Sequence, residues 1–199
     1  FSIAGQLSWV NLLYEIINES IILPLFYFIG KVTNDKKEFT NRVKTGMLIA
    51  FGIYLILSFS IICFTKPLLS LMATDTSIID ASSAYIRIES VANIFLILTQ
   101  FTLVTLITIN KRKYLYILTF ARLVLSIICD IFLVSSLPMS LNLGVNGIGY
   151  SNIIVNLVLL CLSLLLLSKE DINVFKKVKL SFAWAKEFIK IGSISGIES

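Results

Sequence analysis

The sequence contains no histidine, only three cysteines and three prolines, and charged residues make up just 15% of the chain. Without histidine, these residues can form neither a histidine proton relay nor a histidine-based metal site. Cys63, Cys129 and Cys161 all lie within apolar stretches, which is typical of small buried hydrophobic residues and not of disulfides or metal ligands. No nucleophile–base set, metal cluster or phosphate loop is visible, so the sequence does not predict an enzyme.

Long apolar stretches dominate the chain instead. Apolar residues make up 57% of it and the mean hydropathy is +0.91, well above the values of soluble proteins. A helix needs about 20 apolar residues to cross a membrane. The sequence therefore predicts an all-α fold, a polytopic transmembrane helix bundle with five complete crossings and the start of a sixth. The five stretches are roughly residues 3–30, 46–64, 84–109, 114–137 and 145–168.

Basic residues alternate between the connections that join these stretches. The Lys and Arg counts of successive connections are 5, 1, 3, 0 and 6. Cytoplasmic loops carry excess positive charge, so the alternation predicts that residues 31–45, 110–113 and 169–190 lie on the cytoplasmic side. The net charge of +5 then reflects contact with anionic headgroups and not nucleic-acid binding. We expect a multi-pass protein of a prokaryotic cell membrane.

The connections themselves also carry predictions. Residues 31–45 predict a solvated turn, the TKP and ATDTS sequences mark 65–82 as an outer connection, and 84–137 predict a tight helical hairpin. Residues 169–187 mix Lys with apolar residues, which is typical of an amphipathic helix on the inner membrane surface. A further crossing begins at 188–199, and because both chain ends fall in apolar runs, we interpret the chain as an internal piece of a larger membrane protein.

Several ionisable and amide side chains are predicted at membrane depth, where they are costly and mark functional sites by default. Counting about 1.5 Å per residue from the helix ends puts Glu19 and Arg122 in a lower layer, where they can form a structural or a working ion pair. An upper layer is shared by residues of four helices: Glu15, Asn93, Asp130 and Asn152. When two carboxylates lie near one cavity of low dielectric constant, their charges repel each other, so that one of them holds a proton or a cation sits between them.

Simpler explanations stay open for some of these residues. Asn93 and Gln100 also suit amides that hold helices together by hydrogen bonds. Arg87 and Glu89 lie near the predicted outer surface, where we expect interfacial side chains whose charged ends reach the headgroups.

Three short motifs stand in the second half of the chain. They are GVNGIGYSNII at residues 144–154, SIICD at 126–130 and IGSISGIE at 191–198. In this spacing they resemble the G-V-x-G-A-A-x-A-T, N-x-x-x-D and I-G-x-P-S-G-x-E motifs of the MATE (multidrug and toxic compound extrusion) transporter family. The resemblance implies that residues 1–168 are most of the N-terminal lobe, family helices two to six, and that 169–187 link it to a second lobe.

The same resemblance implies a cation-coupling site at Asp130, Ser126 and Asn152. Ser126 stands where the family motif has Asn, and Asn152 stands where it has Thr, but both still offer oxygen to a hard cation such as sodium. Further candidates for the cavity and the substrate contacts are Glu15, Glu19, Asn93, Gln100, Arg122 and Glu198.

The function that the resemblance implies is secondary antiport. Organic cations or drugs would be exported by alternating access in exchange for sodium or protons. Such a carrier needs no cofactor besides the coupling ion and no metal beyond a sodium ion at Asp130. Its partners are the lipid bilayer and small cationic substrates, without nucleic acid, and the complete protein is expected to act as a monomer. Two alternatives are a lipid-linked oligosaccharide flippase of the same superfamily, whose pyrophosphate cargo needs a cavity lined with Lys or Arg, and a non-transporting membrane scaffold.

Overall fold

The computed structural model describes residues 3–71, 78–174 and 184. Every regular element in these ranges is a helix, so the all-α prediction is confirmed. The helices are α1 (Ile3–Gly30), α2 (Lys36–Leu71), α3 (Ile79–Thr108), α4 (Lys113–Leu133) and α5 (Gly144–Lys169).

Four of these helices, α2 to α5, are long and apolar enough to cross a membrane. Helix α1 has 28 residues, about 42 Å of helix against a hydrocarbon thickness of about 30 Å, and its crossing stays a prediction. The linker predicted at 169–187 and the crossing predicted at 188–199 lie outside the described residues, apart from 169–174 and Trp184. The Trp184 ring packs against Phe28 near the end of α1, with 5.7 Å between the ring centroids.

Helix α2 extends beyond its apolar stretch at both ends. The turn predicted at 31–45 is wrong beyond Asp35, because a helix begins directly after this residue. The Asp35 Oδ1 atom accepts the backbone N–H groups of Lys37 at 3.0 Å and Glu38 at 3.1 Å, and so caps the first turn. At the other end the helix continues four residues past Pro67, so TKP does not open the connection. Hydropathy marks where lipid begins, whereas capping and backbone hydrogen bonds decide where a helix ends.

Ion pairs bring the basic connections to one end of the bundle. The Lys36 Nζ atom lies 2.9 Å from Asp171 Oδ2, and the Lys111 Nζ atom lies 2.8 Å from Glu170 Oε2. These contacts join the α1–α2 turn and the α3–α4 turn to the residues that follow α5. The three connections that the charge pattern assigns to the cytoplasm therefore meet at the same end.

Helix α3 lies at the centre of the bundle. It packs most extensively against α5 and α2, and also contacts α1. Helix α4 lies at the periphery against α5, and only Tyr114 and Leu118 of its residues are buried. The short turn before α4 is confirmed, with Asn110 at a positive φ of 64°. Within the described residues α1 and α4 do not touch. Helix α4 exposes an apolar face that includes Ile117, Phe120, Leu123, Ile127 and Ile131.

Two glycines allow α5 to approach its neighbours closely. A Cβ atom at Gly147 would lie 2.7 Å from the carbonyl oxygen of Leu133, at the end of α4. A Cβ atom at Gly149 would lie 2.7 Å from Cγ2 of Ile88 on α3. Neither space admits a methyl group without a shift, so both contacts depend on glycine.

We predict that Gly147→Ala destabilises the protein. The added methyl group would meet a backbone carbonyl that cannot rotate away, and overpacking of this kind costs about 1–3 kcal/mol. Gly52→Ala is the matched control, because a Cβ atom at Gly52 meets nothing within 4 Å. Thermal unfolding of the two purified variants in detergent measures the effect. Equal melting temperatures would contradict the close α4–α5 contact.

We also predict a pH dependence at the end of the bundle where the basic connections meet. Hydrogen bonds from Lys111 and then Tyr114 hold the pKa of the Glu170 carboxyl below its ordinary value. A carboxyl whose folded pKa is lowered adds stability above its unfolded pKa of about 4.3, and this stability is lost as the pH falls further. Wild type should therefore unfold at a higher temperature than Glu170→Gln at pH 7, and the difference should shrink towards pH 3.5. A difference that does not change with pH would contradict this assignment.

Candidate functional site

A cavity of about 320 Å³ opens between α1, α2 and α3. Two carboxylates, Glu15 and Glu89, lie in its wall, and no Lys or Arg is among the described residues that line it. The remaining lining residues are four amides, two tyrosines and two aliphatic residues: Asn11, Asn18, Asn93, Gln100, Tyr14, Tyr54, Leu96 and Ile97. The cavity is therefore polar, acidic and rich in hydrogen-bond acceptors.

Helical periodicity explains why these residues meet. On α1 they are spaced by three and four positions from Asn11 to Asn18, and on α3 from Glu89 to Gln100, so each set forms one face of its helix. The two faces oppose each other across the cavity because α1 packs on α3. A polar stripe with this spacing is visible in the sequence and would have indicated the cavity.

Glu89 is held by an amide from another helix. The Nδ2 atom of Asn152 on α5 lies 2.9 Å from Oε1 and 3.0 Å from Oε2 of Glu89. Asn93 also donates to the backbone carbonyl of Glu89, at 3.2 Å. The Glu89 side chain is half-buried, lines the cavity and is bonded to Asn152, so its carboxyl does not reach out to the headgroups as expected; its location near the outer surface stays a prediction.

Two tyrosines fix the wall between α1 and α2. The Tyr14 hydroxyl is hydrogen-bonded to Ser58 Oγ at 2.9 Å, and the Tyr54 hydroxyl donates to the Tyr14 carbonyl at 3.0 Å. The ring centroids lie 5.7 Å apart, and all three side chains are buried. These contacts position the backbone next to Glu15 before any ligand arrives.

Asn18 presents an unused acceptor. Its Oδ1 atom is buried and has no hydrogen-bond partner among the described residues. A buried acceptor without a donor costs free energy. Asn18 lines the cavity, but this oxygen has almost no accessible surface, so its present position keeps it out of reach of a cavity occupant.

Of the three residues of the predicted cation-coupling site, Asn152 contacts the cavity wall. The Asn152 amide is bonded to Glu89, whereas the Asp130 side chain is exposed on α4 and Ser126 is half-buried. Neither Asp130 nor Ser126 lines the cavity. A joint role of the three residues in cation coupling stays a prediction.

The predicted pair of Glu19 and Arg122 does not form. Arg122 donates to the Asn156 side-chain oxygen at 2.8 Å, and Glu19 is exposed on α1. In the part of the chain that is described, no carboxylate lies within ion-pair distance of Arg122. The reason is the packing order, because α1 and α4 lie on different sides of the bundle and equal depth does not make them neighbours.

The other candidates divide between the cavity and the rest of the chain. Glu15, Asn93 and Gln100 line the cavity, as the sequence suggested for substrate contacts. Glu198 lies outside the described residues. Within residues 3–71, 78–174 and 184, no cluster of Cys, Asp and Glu side chains is suited to hold a metal ion.

The three cysteines are free. Their predicted burial is wrong for Cys63 and Cys161, which are exposed on the apolar surface, whereas Cys129 is half-buried. In a membrane-spanning helix an exposed apolar side chain contacts lipid, so low polarity does not imply a place inside the bundle.

Comparison with known proteins gives one match. The MatE family model matches residues 29–132, more than half of the chain, from the end of α1 to the end of α4. No curated protein sequence and no solved structure matches the chain.

We predict that the cavity contains water in the membrane-embedded protein. In a background in which the three cysteines are replaced, Gln100→Cys should react with a small water-soluble maleimide, because thiols ionise and react in water. Leu123→Cys is the control, since Leu123 is 59% exposed but lies on the apolar face of α4. It should react far more slowly in intact membranes. Equal labelling rates would contradict a hydrated cavity.

Proposed function

The chain belongs to the MatE family, whose members are transporters and not enzymes, and on that premise we propose that it forms part of a secondary antiporter. The antiporter exports organic cations in exchange for sodium or protons by alternating access. The observation that supports this proposal is the cavity between α1, α2 and α3, whose wall holds two carboxylates and no basic residue among those described.

Electrostatics favours a positively charged cargo in this cavity. Two carboxylates, the half-buried Glu89 and the exposed Glu15, give the cavity wall a negative charge that attracts a cation. Amide and hydroxyl oxygens add hydrogen-bond acceptors, and the tyrosine rings offer faces that attract cations. A volume of about 320 Å³ is at the lower end of small-molecule pockets, which run from about 300 to 1,000 Å³, and suits one small organic cation.

Competition for the same carboxylates provides the exchange. An organic cation and a coupling cation both neutralise Glu15 and Glu89, so binding of one opposes binding of the other. If the organic cation binds more tightly when the cavity is open to one side of the membrane, and the coupling cation when it is open to the other, each is bound on its own side and released on the opposite side. The site implied by the family resemblance, at Asp130 and Ser126, is a second candidate for the coupling cation.

A flippase for lipid-linked oligosaccharides is less well supported. Its pyrophosphate cargo requires basic groups in the cavity, because two phosphates carry negative charge. Arg122 is the basic residue deepest in the described helices, but it is bonded to Asn156 and does not line the cavity. The charge of the wall therefore favours cationic cargo.

Transport of a cation by the full-length protein tests the proposal. In proteoliposomes with an imposed sodium or pH gradient, we expect movement of a fluorescent organic cation and no movement of an anionic dye of similar size. Glu15→Gln should weaken the apparent affinity for the cation about tenfold, corresponding to about 1.4 kcal/mol, because one counter-charge is lost.

Glu19→Gln is the matched control on the same helix. Glu19 is exposed and does not line the cavity, so its variant should transport like wild type. Transport of the anionic dye, or equal affinities of the Glu15 and Glu19 variants, would contradict the cavity as the cargo site. If Asp130→Asn loses coupled export while Glu15→Gln exports like wild type, the essential carboxylate is Asp130 on α4 and not Glu15 in the cavity.

A further inference from the structure

We propose that Glu89 takes up the coupling cation, and that its hydrogen bond from Asn152 transmits this occupancy to the packing of α3 against α5. This inference rests on the proposed antiport and names the residue that couples it. The coupling cation is a monovalent cation that a carboxylate binds, either a proton or sodium.

The geometry of the contact makes it sensitive to a cation. One Asn152 nitrogen lies within hydrogen-bond distance of both Glu89 oxygens, at 2.9 and 3.0 Å, and donates to them. A proton on Glu89 turns one of these oxygens from an acceptor into a donor. A sodium ion held by the same oxygens competes with the amide for their lone pairs. The contact is therefore strongest when Glu89 is ionised and empty, and weakest when it carries a cation.

No fixed positive charge substitutes for that cation in the described part of the cavity wall. The titratable groups that line the cavity with Glu89 are Tyr14 and Glu15 from α1 and Tyr54 from α2, all of them neutral or negative. Asn152 on α5 is neutral, and α4 contributes no residue to the described lining. Since these groups offer no positive charge, a cation that neutralises Glu89 comes from solution.

The surroundings of Asn152 couple the bond to helix packing. Gly149 lies less than one turn before Asn152, and its backbone packs so closely on Ile88 of α3 that a Cβ atom would lie 2.7 Å away. Further along, the Thr99 hydroxyl donates to the Asn156 carbonyl at 3.3 Å. A seam this tight cannot absorb a change at Glu89 by side-chain rotation alone, so losing the amide contact favours a shift of α5 against α3.

Two transport measurements on the full-length protein in proteoliposomes test the role of Glu89. We expect Glu89→Gln to lower gradient-driven accumulation of an organic cation about tenfold or more, and to lower exchange of that cation without a gradient by a smaller factor, because Glu15 still faces the cargo. Runs with a sodium gradient at constant pH, and with a pH gradient without sodium, identify the coupling cation. Glu19→Gln should retain both activities, because Glu19 does not line the cavity.

Asn152→Ala separates the amide contact from the carboxylate. It keeps Glu89 but removes the competing donor, so half-maximal accumulation should need a lower concentration of the coupling cation. Asn156→Ala, four residues further along α5 and bonded to Arg122, should leave that concentration unchanged whatever its overall activity. Equal half-maximal concentrations for wild type and Asn152→Ala would overturn the role of the amide.

A distance measurement reads the helix packing directly. Spin labels at Ala81 on α3 and Ile148 on α5, both exposed, report the separation of the two helices in protein without native cysteines. We expect saturating coupling cation to shift the distance distribution in wild type and to leave it unchanged in Glu89→Gln. The same shift in Glu89→Gln, together with gradient-driven accumulation, would overturn the inference. If wild type moves no organic cation yet shows the shift, the proposed function fails and the cation switch at Glu89 stands.

Discussion

A carboxylate surrounded by hydrocarbon must find hydrogen-bond donors or a counter-ion, because lipid tails cannot solvate its charge. In this protein Glu89 is such a carboxylate, and the Asn152 amide is the donor that both of its oxygens face. The donor is neutral, so the contact stabilises the charge without cancelling it. Glu15 is a second carboxylate in the same wall, and no Lys or Arg is among the described residues that line the cavity.

Because α3 lies at the centre of the bundle, its contacts determine which polar side chains line the cavity. This helix contacts α1, α2 and α5, so the residues on its polar face meet side chains from three neighbours. Helix α4 packs mainly on α5 and turns an apolar face outward, which leaves Asp130 away from the cavity. Gly149 near the start of α5 allows the close α3–α5 contact and thereby brings Asn152 within reach of Glu89.

Part of the site could be predicted from single helices. Of the candidates that the sequence offered for the cavity, Glu15, Asn93 and Gln100 line it, because a polar side chain in a long apolar helix has few other places to go. The bond between Glu89 and Asn152 was not predicted, since it joins two helices. Depth along a helix failed for Glu19 and Arg122, whose helices do not touch. Motif resemblance identified the family but not the partner of Asn152.

The sequence by itself determined the helical class, the approximate spans and the end of the bundle at which the basic turns meet. These features depend on hydropathy, backbone hydrogen bonding and charge, which are local properties of the chain. Only the tertiary structure decided which polar groups share a cavity. Partners such as Glu89 and Asn152 are 63 residues apart and meet only through the packing order of the helices and the close approach of glycine backbones, neither of which follows from the spacing of residues within one helix.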